Sequence, residues 1–192
     1  FLEIKQMMQL KWQDGYYIAY FQANTNTYGT MQKLKETYSQ IVSDNYLIDP
    51  NVKILSIATR PDCLNEEIVE YLSEINQIIP VWVELGFQTM HENTSILINR
   101  GYNNSCFEEA IGLLKKHNLT TIVHIINGLP FENKEMMIST VKYLNNFGID
   151  GIKIHMLHVM KNTPLEKYYN DTKFDVLPQH IGFIMDGNGR WA

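Results

Sequence analysis

Residues 81–102 read VWVELGFQTMHENTSILINRGY, and this stretch decides the fold. It begins as an apolar strand, becomes polar where that strand ends, continues into a short helical run and closes on an arginine and a glycine. A strand buried in a parallel sheet is expected to consist almost entirely of Val, Ile and Leu. Here period-two alternation instead places Glu84, Gly86 and Gln88 on one face. We therefore predict that this face does more than pack a core.

Strand-like and helix-like segments alternate on both sides of this stretch. Runs of β-branched and aromatic residues predict strands, and apolar residues at helical spacing predict helices. This alternation with short connections favours a parallel sheet with right-handed crossovers, either open or part of a barrel. A closed (β/α)8 barrel needs about 250 residues, so a chain of 192 residues excludes a complete one. The predicted strands are residues 16–23, 52–58, 121–126 and 151–157, together with the strand that begins at residue 81 and carries Glu84 and Gln88. The predicted helices include residues 2–12, 31–43, 105–117 and 134–147.

Capping residues predict where several helices begin and end. Asn65, with two glutamates behind it, is placed as an N-cap. Ser105 opens an S-x-x-E capping box, and Thr163 precedes a proline that suits a first helical position. Gly148 is placed to end the helix at residues 134–147.

The composition is that of a globular protein of one domain or one and a fraction. Hydrophobic residues make up 45% and charged residues 19%, and the longest apolar runs are far too short to span a membrane. A net charge of -5 argues against broad attraction to nucleic acid or anionic lipid, although a local basic patch would still permit it. The two cysteines, Cys63 and Cys106, fit a reducing compartment and predict a cytoplasmic location.

Polar residues collect where the predicted strands end, which is where parallel α/β folds bind ligands. A single such residue is more often a turn former or a helix cap than a ligand. By the same reasoning His124 alone predicts a core histidine, and the spacing of His155 and His158 argues against a zinc site, so no metal site is predicted. The residues at the strand ends are Gln22, Asn24 and Asn26; Thr59, Arg60 and Asp62; Glu84 and Gln88; His124 and Gly128; and Lys153, His155 and His158.

Five runs of sequence, in this order and spacing, resemble a radical S-adenosylmethionine family. The branch is poorly characterised and is related to the radical domain of the elongator acetyltransferase and to oxygen-independent coproporphyrinogen oxidase. The resemblance implies a partial (β/α)6 barrel over residues 1–176 that lacks its first strand. Its lumen is expected to bind S-adenosylmethionine beside a four-iron, four-sulfur cluster. The runs are YFQANTNTYG, SIATRPDCL, WVELGFQTMHENTSILINRGY, HIINGLP and IDGIKIHMLHVMKNTPL.

The same resemblance assigns roles to residues of the lumen. The loop at residues 22–27 stands where relatives receive the methionine amino group, and Gln88 and Arg100 match a pair that touches the nucleoside or its carboxylate. His124 stands where better-known relatives place an acid against the ribose, and Gly128 would let the backbone approach the adenine. The predicted cofactor-binding residues are Gln22, Asn24, Asn26, Thr59, Glu84, Gln88, Arg100, His124 and Gly128.

The iron-binding part of the family pattern is absent from this sequence. Relatives hold the cluster with a C-x3-C-x2-C loop after the first strand, because thiolates are what bind such iron. Cys63 and Cys106 stand elsewhere and do not substitute for it. We therefore expect a fragment of a radical S-adenosylmethionine enzyme that is inactive as it stands. The intact parent would cleave the cofactor to a 5′-deoxyadenosyl radical that abstracts hydrogen from an unknown substrate.

The last residues carry a second resemblance. Residues 180–192, HIGFIMDGNGRWA, resemble the opening motif of undecaprenyl diphosphate synthase, which predicts a separate segment at residues 177–192. In that family the residue matching Asp186 serves magnesium and diphosphate chemistry, so magnesium is expected only on this alternative. Turn dipeptides after an apolar strand are the plainer interpretation. The residues matching the diphosphate-binding positions are Gly187, Asn188, Gly189 and Arg190.

Three hypotheses follow from these patterns. The first is a truncated radical S-adenosylmethionine enzyme joined near residue 177 to the start of a prenyltransferase. The second is a prenyltransferase with an unusual leader. The third is a non-catalytic α/β module that binds a nucleoside-like ligand or a partner.

Overall fold

The computed structural model describes residues 15–172 together with Glu3, Gln6 and Met7. The strands are β1 Tyr17–Phe21, β2 Val42–Ser43, β3 Tyr46–Leu47, β4 Val52–Thr59, β5 Val81–Gln88, β6 Thr120–Asn127 and β7 Gly151–Met156. The helices are α1 Met31–Tyr38, α2 Glu66–Asn76, α3 Glu92–Leu97, α4 Asn104–Lys116, α5 Lys134–Leu144 and α6 Pro164–Thr172. Short 3-10 helices cover Pro61–Cys63 and Asn145–Phe147.

One sheet of five parallel strands, in the order β1-β4-β5-β6-β7, forms the body of the protein. The sheet curls into a half-barrel with helices, which confirms the predicted α/β fold. Because all its strands run the same way, their carboxyl ends meet at one rim. Within the described residues β1 pairs with β4 on one side only, and Ile18 at this edge is 50% exposed.

The two faces of the sheet differ in chemistry, and β5 shows this most clearly. Val83, Leu85 and Phe87 are fully buried among the residues of the core. The ring of Phe87 stacks on Phe107 of α4, with ring centroids 4.0 Å apart. The alternate residues, beginning with Glu84, point to the opposite, concave face, which we call the lumen. The apolar face therefore holds the helices, and the lumen is left for polar side chains.

The predicted caps are correct at three positions and wrong at one. Asn65 accepts a hydrogen bond from a backbone N–H of the first turn of α2, and Thr163 does so at the start of α6. Gly148 takes a left-handed conformation after the 3-10 turn that follows α5. The prediction that Ser105 caps α4 is wrong: Asn103 is the N-cap, and the Ser105 hydroxyl donates to the Asn103 side chain. An asparagine two residues earlier reaches the same free backbone N–H groups first.

The helix predicted for residues 31–43 ends five residues early, at Tyr38. A two-stranded antiparallel hairpin follows, formed by β2 and β3. Its turn residues, Asp44 and Asn45, both have positive φ, of 50° and 64°. Asp and Asn tolerate this conformation, which two-residue hairpins require. A four-residue apolar-polar pattern is too short to reveal such a hairpin in advance.

Several predictions lie outside the described residues. They are most of the helix at residues 2–12, the whole of the segment at residues 177–192, and with it Asp186, Gly187, Asn188, Gly189 and Arg190. The boundary between the two predicted segments therefore stays a prediction. No helix in the described part of the chain is both long enough and apolar enough to cross a bilayer.

Candidate functional site

A cavity of about 440 Å³ opens at the carboxyl rim of the sheet. Its volume falls within the ~300–1,000 Å³ that small-molecule and cofactor sites occupy. Polar side chains come mainly from the strand ends, and apolar ones from the segments that follow them. The lining residues are Asn24, Thr25, Ala58, Thr59, Arg60, Glu84, Gly86, Gln88, Ile98, Arg100, Tyr102, His124, Ile126, Leu129, Leu157 and Leu165.

Six of the nine predicted cofactor-binding residues lie on the wall of this cavity, namely Asn24, Thr59, Glu84, Gln88, Arg100 and His124. Gln22, Asn26 and Gly128 do not. Asn26 instead ties the end of β1 to the end of β4, because its amide donates to Phe21 O at 2.7 Å and to Ala58 O at 2.9 Å. The binding roles of all nine stay predictions.

Sequence reasoning missed part of the wall. Tyr102 stands in the opening stretch, and Leu129 stands in the run HIINGLP, yet neither was singled out. Leu157 and Leu165 follow the last strand and supply apolar surface. Leucines in loops resemble core residues in a sequence, so only the curl of the sheet identifies them.

The end of β5 is bent so that Gln88 faces the cavity. The pairing with β6 shifts register between Gly86 and Gln88, and Gln88 has a φ of 70°. A Cβ atom on Gly86 would lie 2.9 Å from Nε2 of Gln88, so a side chain there would push the amide away. Such a bulge re-aims a side chain at the end of a strand. Gly86 thus gives Gln88 its place on the cavity wall.

Arg100 holds this bend from behind. Its side chain is buried, and all five of its guanidinium N–H groups donate to atoms of the protein. Burial lowers the pKa of Arg100. The acceptors are Tyr102 O at 2.9 Å, Phe87 O at 3.0 Å, Thr89 O at 2.8 Å, Glu92 Oε2 at 3.4 Å and Asn104 Oδ1 at 3.1 Å. Arg100 therefore touches the cavity as part of its frame, with no donor left for a ligand.

A second arginine on the wall is less engaged. Arg60 donates to Asp62 at 2.9 and 2.6 Å, which lowers the pKa of that carboxyl group. The Arg60 guanidinium lies 5.4 Å from the ring of Tyr102, whose hydroxyl donates to Gly86 O at 2.5 Å. Asp62 takes only two of the five N–H groups. The remaining donors of Arg60 are at the mouth of the cavity.

Glu84 is the centre of the lumen. Its carboxylate is 2% exposed and is bound by one side chain from each of the other four strands. Tyr20 of β1 donates to Oε2 at 2.9 Å, and Ser56 of β4 donates to Oε1. Nε2 of His124 in β6 lies 2.7 Å from Oε2. Nζ of Lys153 in β7 bridges both oxygens, at 2.7 and 2.6 Å.

These contacts fix the charge of Glu84. Burial alone would raise its pKa, but the hydrogen bonds from His124, Lys153, Ser56 and Tyr20 outweigh burial and lower the pKa to about 2. Glu84 is therefore ionised at any ordinary pH. The ammonium group of Lys153 balances its charge.

The two cysteines do not form a cluster site. Cys63 and Cys106 are free, and burial raises the pKa of both thiols, which suits inert thiols rather than ligands. Within the described residues, no group of three or more His, Cys, Asp or Glu side chains is arranged to hold a metal ion. Two thiols also fall short of the three that the expected motif supplies. The residues present here therefore do not fit a four-iron, four-sulfur cluster.

The sequence is similar to a known protein family and to several curated proteins. Residues 3–144 match the model of the Radical SAM superfamily. The uncharacterized protein YtqA of Bacillus subtilis (strain 168) is 46% identical over 179 residues, which are 93% of this chain and 54% of YtqA. A tRNA uridine(34) acetyltransferase of Dehalococcoides mccartyi (strain CBDB1) is 28% identical over 137 residues, or 69% of this chain and 29% of that protein.

A solved structure has the same fold. The archaeal Elp3 of Methanocaldococcus infernus, with its N-terminus deleted, superposes with a TM-score of 0.72 at 20% identity, covering 89% of this chain and 44% of that one. The chain spans about half the length of YtqA, the curated relative described above.

Proposed function

The chain belongs to the Radical SAM superfamily, and from this premise we propose that its cavity binds S-adenosylmethionine. The observation that carries the proposal is the convergence of Asn24, Thr59, Glu84, Gln88 and His124 on one cavity of suitable volume. These residues come from four different strands or the loops after them. Their convergence supports a ligand with several hydrogen-bonding groups.

The wall matches the parts of this molecule. Amide and hydroxyl groups of Asn24 and Thr25 suit the charged amino-acid end. The apolar surface of Ile98, Ile126 and Leu129 suits the faces of an adenine ring. The Gln88 amide can both donate and accept, as hydrogen bonding to a nucleoside requires.

We assign Arg100 an indirect role in this binding. Because its donors are all engaged, it positions Gln88 by fixing the backbone carbonyls of Phe87 and Thr89. The guanidinium N–H groups that remain for a ligand on the cavity wall belong to Arg60 instead. The contact that the resemblance implies for Arg100 is therefore proposed as a positioning contact.

The proposal for these residues is confined to binding and orienting the cofactor. In the family, the radical chemistry is supplied by an iron-sulfur cluster, and this chain contains no ligand set for one. We propose that the chain binds S-adenosylmethionine without cleaving it. Reductive cleavage and hydrogen abstraction are proposed for the longer protein, with its substrate unassigned. No observation in the described residues favours a prenyltransferase.

Calorimetric titration of S-adenosylmethionine into the 192-residue chain, with a chelator and without iron, tests this proposal. We expect saturable binding, and about tenfold weaker binding in Gln88→Ala, because one hydrogen bond to a bound ligand contributes about 1.4 kcal/mol. Gln77→Ala is the matched control, since Gln77 is exposed at the end of α2. A folded wild-type chain that does not bind the cofactor would overturn the proposal.

A further inference from the structure

Three side chains of the lumen form a line that leads from the buried carboxylate outward. Nε2 of His124 lies 2.7 Å from Oε2 of Glu84, and Nδ1 of His124 lies 3.1 Å from Nε2 of His155. The two rings are tilted by 34°, with centroids 4.9 Å apart. Glu84 is buried, His124 is partly buried and His155 is exposed. The line therefore connects the centre of the sheet to the open side of the lumen.

The hydrogen positions in this line follow from the chemistry of its first member. An ionised carboxylate only accepts, so the Nε2 atom of His124 must carry a hydrogen and donate it to Glu84. In a neutral imidazole the other nitrogen is then an acceptor. Nδ1 of His124 consequently accepts from Nε2 of His155. Nδ1 of His155 is left as a basic lone pair, with no hydrogen-bond partner among the described residues.

The surroundings keep this lone pair free near neutral pH. Partial desolvation by the surrounding side chains lowers the pKa of His155 even though the residue is exposed, and the neighbouring His124 and Lys153 lower it further, whereas Glu84 raises it. His158, from the loop after β7, also lowers it. Tyr20 faces the same carboxylate from β1. His155 is therefore ready to accept a proton and does not carry one beforehand.

We propose that Glu84, His124 and His155 form a proton-accepting site for a substrate at the open side of the lumen, beside the cavity, which we call the proton relay. The reacting group is an O–H or N–H of the substrate. Its bond to hydrogen breaks, the electron pair stays on the substrate, and a new N–H bond forms at Nδ1 of His155. The hydrogen on Nε2 of His155 then passes to Nδ1 of His124, so that the positive charge rests 2.7 Å from Glu84.

A purely structural role explains this arrangement less well. A core histidine satisfies both ring nitrogens inside the protein, and His155 satisfies one. His124 lines the cavity, and the exposed His155 continues the relay to the open side of the lumen. A carboxylate, an imidazole and a second group in hydrogen-bonded series is also the arrangement by which enzymes fix a tautomer and stabilise an imidazolium. The identity of the ligand rests on the proposed function, whereas the existence of the relay does not.

Nitrogen-detected NMR of the chain labelled at histidine tests the relay directly. At about pH 8 we expect both His124 and His155 as the Nε2–H tautomer, and a pKa of His155 below the ordinary value for histidine. His124→Gln should raise the pKa of His155, because it removes a neighbouring ring that lowers that pKa. His117→Gln is the matched control, since the His117 side chain pairs with Glu66 and has no part in the relay, and it should leave the pKa of His155 unchanged. An Nδ1–H tautomer at His124, or a pKa of His155 that His124→Gln leaves unchanged, would overturn the proposal.

A pair of ligands tests whether the relay faces the bound cofactor. S-adenosylmethionine carries a sulfonium charge, and S-adenosylhomocysteine is the neutral thioether. A proton on the relay should weaken binding of the first relative to the second by about fivefold between pH 8 and pH 5.5, because like charges in one cavity repel. His155→Gln should remove this pH dependence, and the control His117→Gln should keep it. A ratio that does not change with pH in the wild type would contradict the placement of the relay. If neither ligand binds, the proposed function fails and the NMR titration still decides the relay.

Discussion

Arg100 and Glu84 are two buried charged residues of one stretch of chain, and their hydrogen-bond partners differ in kind. Arg100 is 6% exposed and Glu84 is 2% exposed. The partners of Arg100 lie 2 to 13 residues away in sequence, and three of them are backbone carbonyls. The partners of Glu84 are side chains 28 to 69 residues away, on other strands. Arg100 is a local clamp, whereas Glu84 draws the whole sheet together.

Arg100 determines the shape of the cavity wall, whereas Glu84 positions the polar side chains that face the cavity. The contacts of Arg100 end inside the protein, so its charge is closed off from a ligand. The contacts of Glu84 continue outward through His124 and Lys153, whose side chains reach the lumen. A buried charge therefore indicates a binding site only when its hydrogen-bond partners are themselves accessible to a ligand; burial alone does not indicate one.

The largest expected effect on stability is at Arg100, whose charge is closed off from a ligand. Arg100→Lys keeps the charge but loses the fork that reaches several acceptors at once. We expect the free energy of unfolding, measured by urea denaturation, to fall by about 3–5 kcal/mol, the cost of breaking a buried charged network. Arg60→Lys is the matched control, and its partly exposed pair with Asp62 should contribute less than about 1 kcal/mol. An equal loss of unfolding free energy in Arg100→Lys and Arg60→Lys would contradict the view that Arg100 is a structural clamp and Arg60 is not.

The next largest effect is at Glu84, and it depends on pH. The pKa of Glu84 is lowered from 4.5 to about 2, so its stabilising contribution is complete above pH 4.5 and is lost as the pH falls toward 2. The difference in unfolding free energy between wild type and Glu84→Gln should therefore shrink by about 3 kcal/mol over that range. Urea denaturation at several pH values measures this. A difference that stays constant with pH would mean that the carboxylate is not held in its charged form.

The smallest effect compares two tyrosine hydroxyls, one at each charge. Tyr20→Phe removes a donor to Glu84, and Tyr102→Phe removes the donor to Gly86 O beside the clamp. Each should lower the free energy of unfolding by about 1 kcal/mol. Only Tyr20→Phe should raise the pKa of Glu84, measured by carbon-detected NMR. A shift of that pKa in Tyr102→Phe would show that the two regions are coupled.

The sequence predicts the sheet well because its signals are periodic and local. Alternation alone predicts that Glu84 and Gln88 share one face, and both line the cavity. The sequence also predicts the cap at Asn65, because a cap acts within one turn. It does not predict the turn at Asp44 and Asn45, because a two-residue turn inside a short polar segment has no periodicity to detect.

The site was predicted only in part, because its contacts depend on register. Nothing in the spelling of β7 shows that Lys153 lies beside His124 and reaches Glu84; that follows from how the strands align. The saturation of Arg100 is equally hidden, since it requires backbone carbonyls to converge after a bulge. Residue type indicated that a charge was present, and only the fold shows whether the charge is free.

The distance along the chain between Glu84 and Lys153 has a consequence for synthesis. The strands of the sheet follow chain order, so a growing chain completes β5 before β6 and β7 exist. The contacts of Glu84 with His124 and Lys153 span 40 and 69 residues. A carboxylate is costly to remove from water before it is paired. The carboxylate of Glu84 is therefore expected to stay hydrated on the ribosome until β6 and β7 supply His124 and Lys153.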